Sequence, residues 1–163
     1  AATYFMLGET MGTSAGGAHE AGKSLRVPGT NPFWWEEESS MGNRFLELLD
    51  SCDLEVHLLN TGRVGGPESD GRSKKVTIAH SAAIQEGILD GTIEWTTDPD
   101  FGYEIAVRVP GIDDAEILQP RRLYDRTGRS DEYAAIVARL HADRRAYLEG
   151  FADLDPRVLA GLG

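Results

Sequence analysis

The sequence predicts an α/β protein, a mixed sheet with flanking helices, and three observations carry that prediction. Thr92-Ile93-Glu94-Trp95-Thr96-Thr97 alternates with Ile93 and Trp95 on one side, the period-two pattern of a half-buried strand. Residues 131–150 set Tyr133, Ile136, Val137, Leu140, Arg144, Tyr147 and Leu148 along one mostly apolar helical stripe. Short apolar runs bounded by Gly, Pro and Asn recur before and between the helical segments, as strands do.

The elements follow in order. Tyr4-Phe5-Met6-Leu7 is long enough for a buried strand and too short for a helix. Residues 8–32 form a glycine-rich loop with Gly8, Gly12, Gly16, Gly17, Gly22, Gly29 and two prolines. Phe33-Trp34-Trp35 is expected to pack inside, and Glu36-Glu37-Glu38 to form a solvated face, because consecutive carboxylates point in different directions. Phe45, Leu48 and Leu49, at i, i+3 and i+4, predict a helix over 42–49 that ends near Asp50-Ser51. Leu54-Glu55-Val56-His57-Leu58-Leu59 alternates before Asn60-Thr61-Gly62, a strand entering a second glycine-rich loop over 62–74. Val76-Thr77-Ile78 predicts a short strand. Ser81 or His80 then caps a helix through Leu89, with Ile84, Ile88 and Leu89 inside and Asp90-Gly91 as its stop. The strand over 92–97 turns at Asp98-Pro99-Asp100 into another over 103–109, closed by Pro110-Gly111. A linker through Gln119-Pro120 leads to the last helix, and residues 151–163 are expected to be a loosely held tail.

At 163 residues the chain is expected to be one domain, since a chain of that size buries about 70% of its unfolded surface. No apolar stretch approaches the roughly 18 residues of a membrane span. The net charge of −11 argues against a nucleic-acid surface, which needs clustered Lys and Arg. Three lysines stand against thirteen arginines, a balance that suits a high-salt cytoplasm where repulsion is screened. Cys52, the single cysteine, suits a reducing compartment. The first residues lack the basic and long apolar regions of a secretory signal, and no Met begins them, so the expectation is a cytoplasmic protein given as a fragment.

Residues Gly17-Ala18-His19-Glu20-Ala21-Gly22-Lys23-Ser24 match G-x-x-x-x-G-K-[ST], the loop whose amides cradle nucleotide phosphates. That mechanism needs a strand running into the first glycine and a helix opening at the Lys-Ser. Neither is supplied here: the apolar run stops at Leu7, and Pro28-Gly29 ends any helix from Ser24 within about a turn. The expected reading is a glycine-rich surface loop. No pair among His19, His57, His80 and His141 has helical or short-loop ligand spacing, and no G-x-S-x-G is present, so metal and serine-nucleophile chemistry are not expected. His57 is read as a core or face residue, and His80 as a cap or a cleft-lining residue. The strongest anion-handling stretch is 62–81. Its glycines admit close backbone approach, Lys74 and Lys75 bring charge, and a helix start near Ser81 offers amides; a hairpin with solvated lysines is the plainer alternative.

The same stretch carries a family resemblance. Leu58-Leu59-Asn60-Thr61-Gly62, Gly65-Gly66 and Lys74-Lys75-Val76-Thr77-Ile78 with Ser81 and Ile84 resemble the C-terminal region of ATP-dependent phosphoenolpyruvate carboxykinases. Thr97-Asp98-Pro99-Asp100-Phe101-Gly102, Val109-Pro110-Gly111 and Ile117-Leu118-Gln119-Pro120-Arg121 follow in family order. Upstream, Tyr4-Phe5-Met6-Leu7-Gly8 and His19-Glu20-Ala21-Gly22 resemble its Tyr-Phe-Leu-Ser-Gly-Tyr-Thr and Thr-Glu-Ala-Gly stretches. Arg63 stands where the family usually has Trp. His19 replaces the common Thr, and thereby completes the apparent phosphate loop by accident.

The resemblance implies part of the carboxykinase C-terminal nucleotide-binding domain. In the complete enzyme it implies conversion of oxaloacetate and ATP to phosphoenolpyruvate, ADP and carbon dioxide, with Mg2+ and Mn2+ neutralising phosphate charge. The family's phosphate loop, metal ligands and substrate arginines lie upstream of the matched region, so the missing upstream part of the enzyme is the implied partner and this chain alone is expected to be inactive. What carries over is an adenosine wall: Lys75, commonly Arg, to stack on or bond near the base, Val76 for backbone or apolar contact, Ser81, usually Thr, for a hydroxyl, and Lys74 nearby. A stand-alone acidic nucleotide-binding or regulatory module, and an independent phosphate-loop hydrolase, are the competing readings.

Overall fold

Helix and strand alternate along the chain, but the strands pair locally. The computed structural model describes residues 1–11, 24–27 and 35–162. Three two-stranded antiparallel ladders occur among them. They are β1 (Glu9–Met11) with β2 (Ser24–Arg26), β3 (Arg63–Val64) with β4 (Lys74–Lys75), and β5 (Glu94–Thr97) with β6 (Glu104–Arg108). The expected mixed sheet is thus replaced, in the described residues, by hairpins joined to helices. The chain divides into two compact units, one of Ala1–Val56 with Leu140–Gly163 and one of His57–Arg139. No helix of the described residues is long and apolar enough to cross a membrane.

The first unit is built on helices. Residues 4–7 do not form the expected strand: α1 spans Ala2–Met6, because Ala2, Met6 and Leu7 bury together with Leu148, Val158 and Leu162. An apolar run this short fits either element, and tertiary contacts decide it. Helix α2 (Glu38–Ser51) packs Phe45, Leu46 and Leu49 on the same core, with Phe5 and Phe45 stacked at 4.4 Å. Gly42 lets α2 approach α1, since a Cβ there would stand 2.8 Å from Met6 Sδ. The segment expected to be a loose tail carries α7 (Pro156–Ala160), whose Val158 is 1% exposed and whose carbonyl accepts from Thr3 Oγ1 at 2.6 Å. Trp35, expected inside, is 88% exposed, while Phe33 and Trp34 lie outside the described residues.

The second unit holds two small cores. Val64, Val76, Ile117 and Leu123 form one, and Ile93, Val109, Ile112 and Leu118 the other. Helix α3 (Ile78–Leu89) lays Ala83, Ile84 and Ile88 on the second core, but Leu89, expected inside, is exposed. Buried Gly87 admits Ile93, whose Cγ1 would lie 2.8 Å from a Cβ at that position. Residues 115–126, expected as linker, form α4 (Ala115–Leu118) and α5 (Pro120–Arg126), with Pro120 at the first helical position where its missing N–H costs nothing. Helix α6 (Ser130–Glu149) buries or half-buries every residue of its predicted stripe. The strand expected over 54–59 is absent: residues 53–60 are irregular and exposed.

Candidate functional site

The candidate residues sit on the β3–β4 hairpin and its passage into α3. Asn60 Oδ1 accepts from the Gly62 amide at 2.9 Å, and the Gly62 carbonyl accepts from the Val76 amide at 2.9 Å, which ties the base of the hairpin. Arg63 spans the loop. Its Nε donates to Ser73 Oγ at 2.9 Å and its Nη1 pairs with Glu68 Oε1 at 3.1 Å. Gly65 takes φ +93°, and a Cβ there would lie 2.3 Å from Leu123 Cδ2, so both its backbone freedom and its missing side chain are used. Arg129, 7% exposed, donates from Nη1 to the Gly65 carbonyl at 3.0 Å, and its guanidinium lies 4.4 Å from the Tyr124 ring centroid.

Lys74 and Lys75 are adjacent strand residues, so their side chains leave β4 on opposite faces. Lys74 Nζ lies 2.5 Å from both Asp114 Oδ2 and Glu116 Oε2. Its partial burial works against the charge, but the hydrogen bonds and charges of Asp114 and Glu116 together outweigh it and raise the Lys74 pKa. Glu116 also receives the Arg126 guanidinium, Nη2 donating to Oε2 at 3.0 Å. The Arg126 hydrogen bond, then that of Lys74, pulls the Glu116 carboxyl down to about 2. Lys75 is exposed, and its side chain makes no hydrogen bond or ion pair among the described residues, while its backbone pairs with Arg63 in the ladder.

Val76, 5% exposed, turns its side chain into the core beside Val64, Ile117 and Leu123, while its amide donates to the Gly62 carbonyl. The strand expected over 76–78 gives way at Thr77, the N-cap of α3. Thr77 Oγ1 accepts from the His80 amide at 3.2 Å, and His80 Nδ1 accepts from the Thr77 amide at 3.2 Å, a reciprocal capping box. His80 therefore carries its ring proton on Nε2 in the neutral form. Ser81, half-buried, is not the cap; its Oγ donates to the Thr77 carbonyl at 3.3 Å. Lys75, Val76 and Ser81 thus share the β4–α3 corner, while Lys74 is engaged by the acidic pair at the start of α4. Sequence does not mark Asp114 and Glu116 as parts of this corner, nor Thr77 as its cap. Thr77-x-x-His80 was the available signal, being the capping-box spacing with His in place of Glu.

Of the other candidates, Gly17 to Lys23 and His19 lie outside the described residues, and Ser24 opens the strand β2, so no helix starts there to present amides. His57 is a face residue, stacked on Trp95 with ring centroids 5.6 Å apart. Among the described residues no three His, Cys, Asp or Glu side chains are grouped to hold a metal ion.

The geometry gains context from comparison with known proteins. A family model described as phosphoenolpyruvate carboxykinase, of the ATP-dependent type, matches residues 1–115. The chain belongs to the phosphoenolpyruvate carboxykinase family. It is 32% identical over 150 residues to the phosphoenolpyruvate carboxykinase (ATP) of Aeropyrum pernix, covering 91% of this chain and 27% of that one. The protein of the same name from Mesorhizobium japonicum is 36% identical over 114 residues, covering 68% of this chain and 21% of its own. Phosphoenolpyruvate carboxykinase (ATP) 1 of Salinibacter ruber is 31% identical over 153 residues, covering 90% of this chain and 28% of its own. The chain spans about a quarter of the length of the curated relatives it matches.

Proposed function

We propose that this chain is the C-terminal, adenosine-facing portion of an ATP-dependent phosphoenolpyruvate carboxykinase, whose complete form converts oxaloacetate and ATP to phosphoenolpyruvate, ADP and carbon dioxide. The observation that carries the reading is the β4–α3 corner. There an exposed, unengaged Lys75 adjoins a Val76 whose side chain is held in the core and, one helical turn on, the Ser81 hydroxyl. A flat purine fits such a ledge: the Lys75 stem and ammonium lie over or beside the ring, the Val76 backbone borders its edge, and the Ser81 hydroxyl serves the sugar or base. Lys74, neutralised by Asp114 and Glu116, holds β4 against α4 beside the nucleotide rather than reaching it.

The described residues offer no ligand set for the Mg2+ and Mn2+ that the family uses, so no phosphoryl-transfer step is assigned to them. In this reading those ligands and the phosphate-binding groups belong to the part of the enzyme outside these residues, and the whole acts in the cytoplasm.

Isothermal titration with ATP and ADP tests the proposal. An adenosine ledge binds both nucleotides weakly and about equally, loses affinity in Lys75→Ala and is indifferent to Lys23→Ala. Absence of binding to either nucleotide, or tight ATP binding abolished by Lys23→Ala, would overturn it, the second result in favour of a phosphate-loop hydrolase.

A further inference from the structure

Thr77 is gripped at both ends of its backbone. Its N–H donates to His80 Nδ1 at 3.2 Å, and its carbonyl accepts from the Ser81 amide at 3.1 Å and from Ser81 Oγ at 3.3 Å. The Thr77 N–H and the Val76 carbonyl belong to one planar trans peptide, so they point in opposite directions. With the N–H held by the His80 ring, the Val76 carbonyl is held facing away from that ring. The Val76 backbone and the Ser81 hydroxyl, two of the groups on the nucleotide ledge, are therefore both aimed by Thr77, which His80 fixes from the helix side.

We propose that His80 is a positioning residue for the ledge, acting through Thr77 and only as neutral imidazole, so that the ledge loosens when the ring takes up a proton. The inference rests on the nucleotide reading of the corner and adds a regulation to it. Nδ1 is the atom that decides. A proton there turns the acceptor into a donor and sets it against a second donor, the Thr77 N–H, which breaks the return bond of the capping box. The imidazolium then stands in the first turn of α3, beside free helix amides that disfavour positive charge, and that turn holds no acidic residue to offset it. Of the other charged groups at the corner, Lys75 has the sign of the imidazolium, and Lys74 is satisfied by Asp114 and Glu116. Among the described residues no carboxylate pairs with the ring. Gln, a usual residue at this place in a capping box, would accept without titrating, so the pH response is what His brings.

Adenosine carries no group that titrates between about pH 5.8 and 8, where imidazole ordinarily changes charge, and is the probe. The chain is titrated with it at both ends of that interval, and binding and the Thr77 amide are followed by nuclear magnetic resonance. The dissociation constant rises about fivefold at the acid end, the fold-change that loss of a helix cap implies, and the Thr77 amide shifts along the same curve as the His80 ring. His80→Gln, the conservative variant, retains the box and so binds equally at both ends, without either pH response. His80→Ala binds about fivefold more weakly than the wild-type chain at the alkaline end and shows no pH response; should it fail to fold, the wild-type and His80→Gln series decide by themselves. Affinity that ignores pH in the wild-type chain, or that still falls with acid in His80→Gln, overturns the proposal and leaves the ledge standing. Absence of adenosine binding at every pH refutes the ledge, and the positioning role with it.

Discussion

Substitution of Gly65 by Ala tests whether the hairpin is set by its contact with α5. At φ +93° an L-residue pays a left-handed backbone penalty of about 1–2 kcal/mol. The added methyl meets Leu123 Cδ2 at 2.3 Å. Leu123 is 1% exposed and cannot swing into solvent, so the overpacking adds about 1–3 kcal/mol. Together Gly65→Ala should destabilise the unit by about 2–5 kcal/mol. Leu123→Ala alone opens a cavity beside Val64, Val76 and Ile117 and costs about 2–5 kcal/mol. The two losses share one contact. In the double variant the clash is gone and only the backbone penalty and the cavity remain, so it should be more stable than the additive sum by about 1–3 kcal/mol. Urea unfolding of the wild-type chain, both single variants and the double, followed by circular dichroism, measures the coupling. Additivity to within about 0.5 kcal/mol would show that Gly65 and Leu123 do not press on each other, and would refute the packing argument.

Three further outcomes are expected. Glu116 has a folded-state pKa near 2 against an ordinary 4.5, so its contribution is complete above pH 4.5 and is lost as pH falls towards 2; an acid titration of stability should be less steep in that window for Glu116→Gln than for the wild-type chain. Thr77→Ala removes the oxygen that accepts from His80 and should cost about 1 kcal/mol in thermal or urea unfolding, with His80→Ala causing a smaller loss of its own because it removes only the return bond from the Thr77 amide. With a net charge of −11 and three lysines, the unfolding midpoint should rise as KCl is taken to molar concentration, and a salt-independent midpoint would contradict adaptation to a saline cytoplasm.

Legibility in the sequence followed how local each element's causes are. Helix α6 is readable because its whole stripe repeats at helical spacing, whereas the strand over 92–97 is legible only as a strand: β5 starts at Glu94, Ile93 is buried, and Trp95, expected on the same inner side, is 40% exposed. Residues 4–7 are not readable, since a four-residue apolar run carries no period and the contacts of Met6 and Leu7 with Leu148, Val158 and Leu162 decide it. Pro120, placed in a linker by sequence, starts a helix, a distinction that depends on whether an N–H is needed there. Lys75, Val76 and Ser81 are near neighbours in the chain, and their nearness at the corner follows from sequence alone. Sequence holds no hint that Lys74 is engaged by Asp114, forty residues away, because ion pairs at that separation leave no spacing signal. Residues 54–59 show the limit of pattern alone: they alternate as a strand does, yet they are irregular and exposed.

Arg129 lies past residue 115, where the family match stops, yet it is the group that satisfies the Gly65 carbonyl inside the match. Leu123, which roofs Val64 and Val76, lies past it too. A laboratory trimming this polypeptide to residues 1–115 would strip away the inner lining of the hairpin along with the cation that anchors it. The Aeropyrum pernix relative aligns over 91% of the chain, and expression boundaries are better drawn from that longer match.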